Sequence, residues 1–247
     1  MTTDAQANRR HLVNALRKHR KNFAPVLNFT AGKDKIIPLS FTRRNRDLTP
    51  EIYGNTDAFC IYINRVLKKA KARYGIGGYN ELRAMYGRSN LFNAIAAEEP
   101  RRLHLGTDIW GRAGERIYAP LDGHVHSFAF NNHFGDYGAV IILEHHLEQQ
   151  RFYTLYGHCS LADLEKMEPG TPYTKGQLLA HLGDPEENGY WPPHLHFQLI
   201  MDMGERRGDY PGVCAASKKS EYLCNSPNPD YVLNLNQYIT GSEDIKK

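Results

Sequence analysis

The residues best equipped for chemistry are His194 and His196, in the run Tyr190-Trp191-Pro192-Pro193-His194-Leu195-His196-Phe197-Gln198-Leu199. The apolar, β-prone residues behind the prolines predict a strand, and in a strand residues two apart project to one side. Two imidazoles so placed can hold a metal together, or one can hold it while the other moves a proton. Ten of the twelve histidines lie between His104 and His196, so ligands must be sorted from bystanders. His104-Leu105-Gly106-Thr107-Asp108 offers a nitrogen and an oxygen ligand. A flat strand would hold them ~13 Å apart, so sharing one ion requires a bend, and Gly106 is the residue that permits it. One imidazole of the later pair then completes a set of three, and three protein ligands with one open position make a catalytic zinc site. The helical His-Glu-x-x-His pattern is absent, so a hydrolase of this kind needs another general base. His158, after the β-prone Leu155-Tyr156-Gly157, can line the same cleft.

These side chains must be carried by strands. From Leu103 the chain reads as short β-prone runs between turns. They are Leu103 to Trp110, Arg116 to Tyr118, Gly123 to Phe130, Ala139 to Glu144, Arg151 to Gly157, Gln177 to Leu182 and His194 to Met201. Leu147 to Gln150 reads as a hairpin loop. This spacing predicts a mainly β fold, an open sandwich or barrel. The first part reads differently. A helix is expected over 7–21, a short edge strand at Ile36 to Leu39, and the clearest helix from Asn55-Thr56-Asp57 to a stop at Gly75, with Phe59, Ile63, Val66 and Ala70 on its stripe. Gly75 to Asn80 invites a nucleotide-loop reading, which fails because Asn80 replaces the third glycine and a helix precedes it; a flexible turn is expected. Glu81 to Tyr86 reads as a short helical turn. Gly204 to Pro229 reads as loop, Tyr231 to Ile239 as a last ordered piece, and Gly241 to Lys247 as a tail. The expected organisation is a mostly helical basic region over 1–99, a metal-binding domain over 100–203, and loops and tail packing on it over 204–247.

Hydrophobic residues make up 41% and charged ones 23% of the 247 residues, which excludes a disordered chain. No apolar run approaches the ~20 residues that span a bilayer, and the N-terminus shows no apolar leader, so a cytoplasmic protein is expected. Cys60, Cys159, Cys214 and Cys224 form no C-x-x-C pair, and four reduced thiols are expected; only Cys214 and Cys224 close a loop short enough to pair. Net charge is +4, with +12 over residues 1–102 and −8 over 103–247. A basic half can meet nucleic acid, but no aromatic-interleaved basic motif accompanies it, and a solvated face that docks on the acidic half is the simpler reading.

The motifs now carry a resemblance. His-x-Gly-x-Asp at His104, Tyr-x-His at Tyr156 and His-x-His at His194 stand in order, with Ile117-Tyr118-Ala119-Pro120-Leu121-Asp122-Gly123, Tyr137-Gly138 and Lys175-Gly176-Gln177 between them. This resembles the LytM/lysostaphin-type zinc metallopeptidases, peptidase family M23, over about residues 100–201. The resemblance implies two antiparallel sheets around a central groove. It also implies zinc held by His104, Asp108 and His196, with His158 and His194 as non-ligand catalytic histidines that accept a proton and steady the oxyanion. It makes His124 and His126 structural, and Cys159 a buried thiol; His133, His145, His146 and His181 read as surface or supporting residues and Tyr156 as structural. The spelling around His104 is similar to a cytosolic variant of the family, and a segment that caps the zinc is a further expectation for residues 1–99.

The implied function is a zinc-dependent hydrolase cleaving a peptide or amide bond, with peptidoglycan-type peptides as the substrate class. The alternative is a non-catalytic metal-binding module that recognises a peptide or partner. A nucleic-acid role for the basic half is the weakest of the three. The walls of the groove are expected at Asn131 to Asp136, Asp184 to Pro193 and Gly204 to Cys224.

Overall fold

A computed structural model describes residues 3–93 and 98–239. The strands in chain order are β1 (Ile36–Leu39), β2 (Tyr74–Gly77), β3 (Arg101–His104), β4 (Thr107–Trp110), β5 (Arg116–Tyr118), β6 (Gly123–Asn131), β7 (Gly138–Leu147), β8 (Gln150–Cys159), β9 (Pro172–Tyr173), β10 (Leu178–His181), β11 (His194–Ile200) and β12 (Val213–Ala215). The α-helices are α1 (Thr3–His19), α2 (Pro50–Gly54), α3 (Thr56–Ala70), α4 (Lys219–Asn225) and α5 (Asp230–Leu233).

The fold is mainly β, as the strand spacing predicts, but one open sheet dominates it. Eight strands run β1-β2-β4-β11-β8-β7-β6-β9, and β10–β5 and β12–β3 form two small antiparallel pairs. The expected pair of antiparallel sheets is therefore met only in part. The large sheet is mixed because β1 runs parallel to β2 at one edge, and β1 carries Pro38, which an edge strand tolerates.

Alternation along β4 and β11 sorts the two faces. Ile109, Leu195 and Phe197 enter the larger core with Leu12 and Leu16 of α1. Trp110 enters a second core with Phe59, Ile63 and Leu67 of α3, each worth about 1.5–3 kcal/mol on burial. The basic first half docks on the acidic second half, as the charge pattern suggests, through Arg20–Asp230 at 2.8 Å, Arg73–Glu115 at 3.3 Å and Lys18–Glu148 at 2.8 Å.

Several expectations need correction. Asn55 caps α3 by accepting from the Ala58 amide, but the helix stops at Ala70, where Lys71 takes a left-handed φ of 51°. Gly75 to Gly77 is then a buried strand rather than a turn. Its glycines are needed because Leu39 and Arg83 side chains fill the space their Cβ atoms would take. The run Leu103 to Trp110 is two strands, broken at Leu105-Gly106. The stretch 204–229 holds β12 and α4. The four cysteines are free thiols, Cys214 and Cys224 included. The expected tail, Gly241 to Lys247, lies outside the described residues.

Candidate metal centre

Register places the key side chains. His196 of β11 lies opposite Asp108 of β4 on one side and Gly157 of β8 on the other, and His194 lies opposite Trp110. The break at Gly106 folds His104 back over Asp108, which removes the 13 Å separation of a flat strand. His104 Nε2 comes 3.1 Å from Asp108 Oδ1, His196 Nδ1 comes 3.0 Å from the same oxygen, and the two ring nitrogens lie 3.0 Å apart. Among the described residues these three form the one group of three or more His, Cys, Asp or Glu side chains whose ligand atoms all lie within 4.8 Å of one another. All three are buried.

The hydrogen bonds fix which atoms face inward. His104 Nδ1 lies 3.0 Å from the Gly78 carbonyl, which can only accept, so Nδ1 carries the proton and Nε2 a lone pair. Gln198 Nε2 donates to the Pro211 carbonyl and to Ser226 Oγ, so its Oε1 faces His196. His196 Nε2 therefore donates to Gln198 Oε1 at 2.9 Å, and Nδ1 carries the lone pair. Asp108 Oδ2 accepts from Arg83 Nη1 at 2.5 Å, leaving Oδ1. With both imidazoles neutral, three lone pairs converge on one point inside a buried site. Such an arrangement repels itself unless a cation sits among the three, and the donor set of two imidazoles and one carboxylate is one that zinc accepts.

His158 and His194 stand beside this cluster. Their rings lie 4.1 Å apart, and His194 Nε2 is 4.0 Å from Asp108 Oδ2. His194 Nδ1 donates to the Pro192 carbonyl at 2.8 Å and His158 Nδ1 to the Asn188 carbonyl at 2.7 Å, so each keeps a bare Nε2. Trp110 stacks on His194 with centroids 4.0 Å apart and 14° between planes. His158 sits at a register shift between β7 and β8 and takes a φ of 65°, a left-handed conformation uncommon outside glycine. A bulge of this kind re-aims a side chain, and here it turns His158 towards the cavity that His194 also lines.

Burial, then the Arg83 charge, pushes His104 down to about 4 despite Asp108. Burial also pushes His194 down to about 4. Burial first, then His194 and His196, holds His158 well below the ordinary histidine value. Burial alone would raise Asp108, but His104 and Arg83 beside it outweigh that, and its carboxyl sits well below the usual range. At neutral pH His104, His158 and His194 are therefore neutral and Asp108 is ionised, the states a metal and a proton transfer require.

A cavity of about 200 Å³ opens on the cluster, lined by Asp108, His158, His194, His196, Tyr137 and Trp191. Gly135, Asp136, Tyr210 and Gly212 from the expected groove loops also line it, as do Met85, Tyr86, Leu91 and Phe92 from the first part of the chain. A larger concavity of about 970 Å³, walled by Arg43, Arg44, Arg46 and Arg102, contains none of His104, Asp108, His158, His194 and His196. The remaining histidines have other work. His145 is buried between the Asp122 carbonyl and Thr154 Oγ1, His181 bonds Asp163, His126 bonds Ser127, His124 and His146 lie near Glu144, and His133 is exposed. Cys159 is a buried thiol facing the Tyr156 carbonyl, and the Tyr156 hydroxyl accepts from Thr154.

Sequence reasoning missed Arg83, Gly78, Gln198 and Trp110. Gln198 carried a signal, because it is two residues beyond His196 and shares its strand face. Arg83 carried none, because its contact with Asp108 depends on long-range folding.

Residues 102–207 match the family model for peptidase family M23, so the resemblance carried by the motifs holds for this segment. A search of the curated proteins finds no match. Among solved structures, a zinc containing peptidase from Vibrio cholerae is 25% identical, with a TM-score of 0.33, over 44% of this chain and 31% of that one. The catalytic domain of lysostaphin from Staphylococcus simulans is 17% identical, with a TM-score of 0.38, over 66% and 96%. A variant catalytic domain of EnpA, a prophage-encoded M23 protein from Enterococcus faecalis, is 18% identical, with a TM-score of 0.35, over 57% and 97%. This chain thus spans under a third of the Vibrio cholerae protein.

Proposed function

We propose that this protein is a zinc-dependent metallopeptidase that cleaves a peptide or amide bond, with peptidoglycan-type peptides as its substrate class. The observation that carries the proposal is the convergence of three ligand atoms, from His104, Asp108 and His196, beside two histidines that line the same cavity with Nδ1 committed to backbone carbonyls. The match of residues 102–207 to a peptidase family supports it. Zinc held by the three ligands supplies Lewis-acid polarisation of a carbonyl and lowers the pKa of water towards neutrality.

The chain's own residues do the rest. His158 or His194 takes a proton at Nε2, since its Nδ1 is committed to a backbone carbonyl. Those same carbonyls accept from the Nδ1–H of the charged imidazole, so the ring is steadied as it gains its proton. The protonated Nε2–H then donates to the developing oxyanion or returns the proton to the leaving amine. Trp110 stacks flat on His194, and Trp191 stands edge-on to both rings, so these two side chains hold the pair in place.

The test is zinc content by mass spectrometry together with cleavage of a panel of murein-derived and generic peptides. Wild type should hold one zinc and cleave at least one peptide. His158→Ala and His194→Ala should keep zinc and lose turnover. Zinc retained with no turnover by wild type across the panel would favour a recognition module instead.

A further inference from the structure

We propose that Arg83 is a positioning residue of the metal centre. It restricts Asp108 to a single metal-facing oxygen, and with Gly78 it makes the segment 78–83 the outer support of two ligands. The proposal rests on the reading of His104, Asp108 and His196 as zinc ligands.

Arg83 is almost fully buried, and its guanidinium spans two carboxylates: Nε donates to Glu81 Oε2 at 2.7 Å, and Nη1 to Asp108 Oδ2 at 2.5 Å. A planar fork is suited to that double engagement, and a lysine ammonium is not. Glu81 is itself anchored by the Phe41 amide and Ser40 Oγ, so the arginine is held from behind. Asp108 Oδ2 is therefore occupied, and only Oδ1 points at His104 Nε2 and His196 Nδ1.

The same segment orients a second ligand. The Gly78 carbonyl accepts from His104 Nδ1 at 3.0 Å and receives Arg83 Nη2 at 3.5 Å. The segment is stitched to the ligand-bearing strand by its own backbone. The Asn80 amide donates to the His104 carbonyl, the His104 amide to the Glu81 carbonyl and the Arg83 amide to the Arg102 carbonyl. Room for the guanidinium comes from Gly77, where a Cβ would lie 2.7 Å from Arg83 Nη2. Partners of this kind behind metal ligands commonly govern affinity by 10–100-fold.

The test uses the full chain. Zinc affinity is measured by competition with a chromophoric chelator, and the Co²⁺-substituted spectrum reports the coordination sphere. Arg83→Gln should weaken zinc binding about 10–100-fold and alter the Co²⁺ bands, because Oδ2 is released and Asp108 can turn. Arg83→Lys keeps the charge but engages one carboxylate at a time, and should fall between Arg83→Gln and wild type. Thermal melts in EDTA follow folding separately. A purely structural role would lower the melting temperature and leave the Co²⁺ spectrum of the folded fraction unchanged. Folded Arg83→Gln and Arg83→Lys proteins with wild-type zinc affinity and wild-type Co²⁺ bands would overturn the proposal and leave the metal centre standing. If Arg83→Gln does not fold, Arg83→Lys decides by the same two readouts. Wild type that takes up neither Zn²⁺ nor Co²⁺ would overturn the metal reading, and this proposal with it.

Discussion

Gly106→Ala is a one-methyl probe of the proposed centre. The added Cβ would lie 2.5 Å from His196 Cε1, 2.6 Å from His196 Nε2 and 2.9 Å from the Phe197 carbonyl oxygen, where ordinary contact begins at 3.4 Å. The imidazole must therefore retreat by about 0.9 Å or the β3–β4 bend must open. Retreat breaks the 2.9 Å bond to Gln198 Oε1 and carries Nδ1 away from Asp108 Oδ1, now 3.0 Å distant. Metal–ligand distances tolerate only ~0.2 Å, so His196 is lost as a ligand and zinc affinity should fall at least about 100-fold, the upper end of what loss of a supporting contact produces. Overpacking alone should cost about 1–3 kcal/mol, read as a shift in the urea midpoint in EDTA. Competition with a chromophoric chelator gives the affinity. A folded Gly106→Ala protein that binds zinc as tightly as wild type would refute the reasoning, because it would show that the His196 ring can move without consequence for the metal.

Three further outcomes are expected. Asp108→Ala should leave zinc unbound in metal analysis and also destabilise the metal-free protein by roughly 3–5 kcal/mol, because it strands one end of a buried guanidinium; a chemical melt in EDTA measures that. His194→Ala should keep its zinc while turnover falls by roughly 10²–10⁴, since His194 Nε2 stands 4.0 Å from Asp108 Oδ2 and outside the cluster of three; an empty site in this variant would overturn the division of roles. The third concerns pH. Burial pushes His145 down to about 4 in the folded protein, against an ordinary value near 6.5 when unfolded. The unfolded chain then binds more protons between these values, so this stability is fully present above about pH 6.5 and is lost as pH falls to about 4, at most about 3 kcal/mol. Melts of the EDTA-treated protein across that range should show a loss to which buried His104, His158 and His194 also contribute, and His145→Gln should lessen the slope by one group's share; an unchanged slope would mean that His145 is not among the groups involved.

The geometry of the candidate site was legible in the sequence where its residues are local, and illegible where it depends on folding at a distance. His194 and His196 share a strand face by period alone, and the need for a bend between His104 and Asp108 followed from backbone rise. Strands β6 to β8 were found because their apolar residues run uninterrupted or alternate. The strand at Tyr74 to Gly77 was missed because glycine reads as a turn signal; here two glycines are required by neighbouring side chains that a single sequence does not reveal. For the same reason Arg83 looked like one more charge on a basic region, although almost all of it is buried.

His194 and His196 project from the same face of one strand, so strand geometry cannot tell a ligand from a proton carrier. On the proposed reading, the chain separates them by which ring nitrogen it occupies. His194 spends Nδ1 on the carbonyl of Pro192, two residues back, and presents Nε2, the nitrogen farther from its own backbone. His196 spends Nε2 on the side chain of Gln198, two residues ahead, and presents Nδ1, the nearer one. The far nitrogen reaches out beside Asp108 and towards His158, while the near nitrogen meets Asp108 Oδ1 directly across the β11–β4 register. Arg83 completes the same logic for the carboxylate, since it occupies Oδ2 and leaves Oδ1 to the cluster. In each case a neighbouring group consumes one of two equivalent atoms and so assigns the role of the other. The chemistry of the proposed centre is thus set by these supporting contacts as much as by the five candidate residues themselves.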